Sequence, residues 1–236
     1  MIKGGRYMTQ ERLLNTILDI YIRAGINAFP IDCFKIAQSL KIPLHKYSEL
    51  TEKKKQKCFT VSDNAFKLYG EIFYNDSFPH KGRQRFTLMH EIGHIIFEHS
   101  GETQENEDEA DAFASNSLAP RIMIHKYRCE TSDQIHDLFG LSYDASNRAL
   151  VSYRNWYENI AQTTHKPSEA EMKIELLFDR GKYQDIDCND EGEEDEEYEP
   201  TPEEIYADVK RALKSGLPVP PKYASAYRMY CKMGLK

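Results

Sequence analysis

Residues 90–111 read HEIGHIIFEHSGETQENEDEAD, and this run constrains the chain more than any other. It opens with His-Glu-x-x-His at 90–94 and continues, after twelve intervening residues, into Glu107-x-x-Ala-Asp111. Two histidines at i and i+4 project from one face of a helix, so both rings can meet one ion. Glu91 lies beside that face, where it can take a proton from a water on the ion. Gly93 costs a helix interior about 1 kcal/mol relative to Ala, a cost explained by close approach of backbone or metal. Phe86, Met89, Ile92, Ile95 and Ile96 then make the same helix core-facing on one side.

A metal that acts on a substrate generally keeps three protein ligands and one open position. The following segment offers Glu105, Glu107, Asp108, Glu109 and Asp111. Helical phase sorts them. Positions 107, 111, 114 and 118 share a stripe with Ala110, whereas Glu109 runs with Phe113 and Asn116 toward its edge. The phase favours Glu107 over Glu109 as third ligand. It also sets Asp111 one turn later, where it can hydrogen-bond a ligand histidine from behind. Glu105, Asp108 and Glu109 read as solvated acids favourable to a helix N-terminus. Zn2+ suits the ligand types best, and a His2Glu set also accepts other divalent ions.

Around this run the apolar spacing predicts helices over 10–24, 32–40, 83–99, 105–118, 132–139, 142–162 and 169–183. Asp32, Ser132 and Ser142 serve as N-caps, with Phe34, Ile36, Ala37 and Leu40 inward on the second helix. The lysines at 53–57 read as a solvated loop or short exposed helix. CFTVS (58–62) and FKLYGEIFYN (66–75) alternate like the two strands of a hairpin turning at Asp63-Asn64. Two short elements, 203–215 and 222–233, flank a PVPP joint.

Charge is unevenly spread over the 236 residues. Positions 185–204 hold twelve carboxylates and no Lys or Arg, and 205–236 hold seven basic residues against Asp208 alone. The remaining 184 residues sit near −1, so the main domain has no basic surface for nucleic acid. The acidic stretch reads as a solvated linker to a small helical appendage, the alternative being a salt-sensitive cover folded back on the domain. Five scattered cysteines without a C-x-x-C pair read as reduced structural thiols. No apolar run approaches the ~20 residues of a membrane span, and the first residues lack the apolar core of a signal peptide. A cytoplasmic location is expected.

RQRFTLMHEIGHIIFEH followed by ExxADxFAxxxLxP resembles the ImmA/IrrE family of metallo-endopeptidases, a gluzincin-like HExxH…ExxAD arrangement. FPIDCFKIAQSLKIPL upstream and LFGLSYDASNRAL downstream extend the resemblance over roughly residues 10–165. It implies an α+β fold: a compact zincin-like domain with a small antiparallel sheet packed on helices, followed by the helical appendage. The domains expected are 1–165 peptidase, 166–184 connecting helix, 185–204 acidic linker and 205–236 basic helical tail. The resemblance further implies His90, His94 and Glu107 on zinc, Glu91 as base, and narrow hydrolysis of a regulatory protein such as a helix-turn-helix repressor. Ala119 stands where the family commonly has Met. A substrate is expected to add to Leu68–Asn75 as an extra strand. His99, His125, Tyr127 and Tyr143 are open candidates for stabilising the oxyanion.

Two other readings fit parts of the sequence. A toxin–antitoxin or stress-signalling component would use the zinc site for binding alone, but a purely structural site needs no base such as Glu91 and usually closes with a fourth ligand. A DNA-binding regulator would use the helix–Gly–Leu–Ser–helix cadence at 133–151, yet Asp144 and Glu158 offset Arg148 and Arg154 there.

Overall fold

The computed structural model describes residues 9–77, 81–101, 103–179, 201–217, 219–220 and 223–224. Most of the acidic stretch and most of the element expected over 222–233 lie outside them. In chain order the elements are α1 (Gln10–Arg23), α2 (Cys33–Ser39), β1 (Leu44–Lys46), a 3-10 turn (Tyr47–Glu49), α3 (Glu52–Val61), β2 (Ala65–Leu68) and β3 (Glu71–Tyr74). Then follow α4 (Lys81–Ile96), α5 (Gln104–Leu118), α6 (Arg121–Lys126), α7 (Ser132–Phe139), α8 (Tyr143–Gln162), α9 (Glu169–Leu177) and α10 (Pro202–Ser215). The protein is thus α+β, largely helical with one three-stranded sheet. None of its described helices is long and apolar enough to cross a membrane.

Two compact units divide the chain, one of Met1–Ser39 with Ala112–Glu191, the other of Leu40–Asp111 with Gly192–Lys236. The first is helical. Leu13, Leu14, Ile17, Leu18 and Tyr21 bury one face of α1, which packs on α9, and the Tyr21 hydroxyl donates to the Ser117 carbonyl. Phe29 stacks on Phe178 at 4.4 Å and meets Phe139 edge-on at 4.6 Å. On α2, Asp32 Oδ1 caps the amides of Phe34 and Lys35 as expected. Phe34 itself is exposed, because the seven-residue helix buries only Cys33, Ile36 and Ala37. The α7 N-cap is Thr131, not Ser132: its hydroxyl and the Gln134 side chain form a reciprocal capping box.

The second unit departs more from expectation. CFTVS is not a strand; it forms the last turns of α3, with Cys58 its one buried residue. FKLYGEIFYN is not one strand but a hairpin in itself. Tyr69 and Gly70, at φ 56° and 77°, form the two-residue turn between β2 and β3, the pattern that suits strand twist. Strand order is β1-β3-β2, with β1 parallel and β2 antiparallel to β3, so the sheet is mixed. The consequence is specific. β3 is hydrogen-bonded on both sides, which removes most of Leu68–Asn75 as a place for a substrate to add. The edge beside α4 belongs to β2.

Beneath that sheet runs α4, whose buried residues include Leu88, Met89, Ile92 and Ile95. α10 packs with α3. Ala212 of α10 is fully buried in a cluster with Tyr47, Cys58, Phe66 and Leu68. Thr201 and Glu204 form a capping box at the start of α10, Pro202 occupies its first turn, and Gly216 closes it at φ 65°.

Candidate metal centre

His90 and His94 stand one turn apart on α4, and Glu107 stands in the opening turn of α5, the helix that follows. Their donor atoms converge. His90 Nε2 lies 2.9 Å from His94 Nε2, 3.3 Å from Glu107 Oε2, and His94 Nε2 lies 3.5 Å from Glu107 Oε1. Zinc bonds of about 2.0–2.1 Å at tetrahedral angles separate two ligand atoms by about 3.3 Å. The two imidazole nitrogens and the Glu107 carboxylate therefore converge at close to the spacing such an ion needs. Two imidazole nitrogens and a carboxylate are also the donor chemistry that zinc prefers, and among the described residues these three are the group that can hold a metal.

The rings are held from behind. His90 Nδ1 lies 2.8 Å from Asp111 Oδ1, the contact that the stripe 107–111 anticipates. His94 Nδ1 lies 3.0 Å from His99 Nδ1, and His99 Nε2 lies 3.1 Å from Glu109 Oε2. One proton arrangement satisfies the three contacts behind the rings. Glu109 accepts from His99 Nε2–H, His99 Nδ1 accepts from His94 Nδ1–H, and Asp111 accepts from His90 Nδ1–H. Both Nε2 lone pairs are then left facing the centre, as metal-binding histidines require.

Local backbone explains how His99 gets there. The Glu98 amide bonds the Ile95 carbonyl, the His99 amide bonds the His94 carbonyl, and Glu98 sits at φ 53°. These are the two bonds and the left-handed residue of a Schellman stop. It folds His99 back one turn, against His94. Glu109 is correspondingly not a solvated acid, a correction to the phase argument: the turned-back His99 gives it a partner. Of the other oxyanion candidates, Tyr143 stacks on His136, His125 contacts Tyr153 and Tyr127 meets Phe29, all within the first unit.

Electrostatics follow burial. His94 is driven down to about 3 by desolvation, then by the neighbouring His90, His99, Lys67 and Arg211, so it stays neutral and its lone pair available. Desolvation also works against a charge on His90, but the Asp111 hydrogen bond and the charges of Glu91, Asp111 and Glu107 outweigh it and raise its pKa. His99 is lowered, chiefly by desolvation against the pull of Glu109. Burial raises Glu91, with His90, Arg211 and the Lys67 amide pulling the other way.

Glu91 reaches the sheet edge as well: its Oε2 accepts from the Lys67 amide at 2.8 Å. A cleft of about 340 Å³ opens over these groups, lined among others by Lys67, His90, Glu91, His94, Glu107 and Arg211. Lys67 and Arg211 are site neighbours that the sequence does not disclose. Lys67 sits on a strand whose edge position is invisible in the pattern, and Arg211 lies 117 residues beyond His94.

The family described as IrrE N-terminal-like domain, a peptidase family, matches residues 37–151, which contain all five of His90, Glu91, His94, Glu107 and Asp111. No curated protein and no solved structure matches the chain.

Proposed function

Because this chain belongs to the IrrE N-terminal-like peptidase family, a family of metallopeptidases, we propose that it is a zinc-dependent endopeptidase of narrow specificity. Its substrate would be a regulatory protein, a helix-turn-helix repressor being the first to test. The carrying observation is the triangle of His90 Nε2, His94 Nε2 and Glu107 carboxylate oxygens, with Glu91 between the two histidines in sequence and facing the same cleft. Zinc bound by those three residues supplies a Lewis acid that acidifies water and polarises a peptide carbonyl.

The chain's own residues do the rest. Glu91 takes the proton of the attacking water and returns it to the departing amine. Burial that raises its pKa makes it a stronger base and a competent acid in turn. Asp111 and the His99–Glu109 pair fix which nitrogen of each ligand ring carries the proton. An extended peptide is oriented by main-chain hydrogen bonds to the edge of β2, the strand whose Lys67 amide already touches Glu91.

The test is to co-express the protein with a repressor encoded beside it and to follow the repressor by mass spectrometry. Cleavage with the native protein, none with Glu91→Gln, and equal zinc content in both support the proposal. Equal cleavage by the two proteins defeats it.

A further inference from the structure

The edge of β2, where the proposed function seats a peptide, is held by the chain's own C-terminal helix. We propose that α10 is a resident occupant of this edge, excluding substrate until it is displaced. The inference rests on the endopeptidase reading and adds its regulation.

An added strand would use the outward main-chain groups of β2, and the Lys67 carbonyl is one of them, beside the Tyr69 amide of the turn. α10 uses these two instead. Arg211 Nη1 donates to the Lys67 carbonyl at 2.8 Å, and Asp208 Oδ2 accepts from the Tyr69 amide at 2.7 Å. Both bonds come from side chains one turn apart on one helix, so α10 holds the turn end of the edge, while the Lys67 amide is held by Glu91. The same two side chains, with Ala207, line the cleft that holds the metal donors. A strand paired with β2 and α10 therefore compete for the Lys67 carbonyl.

This is a built contact. Glu204, with 1% of its side chain exposed, bonds Lys67 Nζ at 2.6 Å through one oxygen while its other oxygen completes the capping box. Ala212 is buried against the sheet-side core, Lys57 donates to the Gly216 carbonyl, and Tyr223 stacks on Tyr69 at 4.7 Å. The occupant also lies outside the family domain, which ends at 151: the domain provides the edge, and a later segment of this chain covers it.

Full-length, zinc-loaded protein provides the test, with two probes. Acetohydroxamate reaches a metal without needing the strand edge, whereas a peptidic hydroxamate must also pair with it. Ala207→Pro breaks α10 from within. Asp208→Ala leaves the helix intact and removes one edge bond, which covers the case in which the proline variant fails to fold. Affinity for the peptidic probe should rise at least tenfold in Ala207→Pro and about threefold in Asp208→Ala. Acetohydroxamate affinity should stay constant, and exchange of the Tyr69 amide should quicken in both variants. Unchanged or weaker peptidic binding with constant acetohydroxamate binding overturns the resident-occupant proposal and leaves the metal reading intact. Failure of every protein to bind acetohydroxamate removes the metal reading and this proposal with it.

Discussion

His99 Nδ1 lies 3.0 Å from His94 Nδ1, which makes a residue outside the His-Glu-x-x-His motif the partner of one inside it. Through Glu109, 3.1 Å further on, the contact decides which nitrogen of His94 carries its proton. His99→Ala should weaken zinc binding by about 10–100-fold, the usual cost of losing such a partner. Glu109→Ala should act in the same direction by less. Competition titration with a zinc chelator measures it. Thermal unfolding of the metal-free proteins serves as the control, since a merely structural role for His99 would lower stability without a selective loss of metal affinity.

Glu91→Gln keeps the shape of the side chain but cannot take a proton. Zinc content should be unchanged and turnover should fall by about 100-fold or more, the range for general acid–base groups. A variant that loses zinc in proportion to activity would assign Glu91 to the metal rather than to the proton.

The helices that hold the ligands are legible because their cause is local. α1, α4 and the later part of α5 carry a 3.6-residue apolar period, and the same period separates Glu107 and Asp111 from the other acids. Misreadings arise where the period is short or the cause distant. CFTVS alternates like a strand, yet it lies at the end of a lysine-rich helix that buries one cysteine. The Tyr69-Gly70 turn carries a tyrosine at positive φ where Asn or Gly is the usual signal. His99 is concealed because Glu98, not glycine, closes the Schellman stop. The bonds from α10 to Lys67 and Tyr69 join residues 137 to 144 apart, and no sequence period records them.

Acid should release the metal, and the sign follows from His90. Its pKa is raised above the ordinary 6.5 in the metal-free protein, so protons compete for it from above that pH downward, while the lowered His94 offers no competition near neutrality. Apparent zinc affinity should therefore fall about tenfold per pH unit once pH drops below the His90 pKa. The protonated ring stabilises the metal-free fold at low pH, and this contribution is lost as pH rises through the raised value. Asp111→Asn removes one raising charge and should move the onset of zinc loss to lower pH. Zinc titrations at a series of pH values test the shift.

The Lys67–Glu204 pair should matter more when broken than when replaced. At 2.6 Å, with 8% and 1% of the two side chains exposed, neither charge has water to fall back on. Lys67 Nζ also donates to the His99 carbonyl at 2.8 Å, so it ties the turn after α4 to the start of α10. Lys67→Met removes the ammonium that Glu204 meets at 2.6 Å, and removal of one partner from a buried pair costs about 3–5 kcal/mol. Glu204→Gln keeps an acceptor for the capping box, and the double variant Lys67→Met/Glu204→Gln should recover much of the loss because no charge is then stranded. The coupling, read from urea unfolding of the two single variants and the double, should exceed about 1 kcal/mol for groups in direct contact. Additive losses would mean that the two residues stabilise the fold independently, with the hydrogen bond between them contributing little.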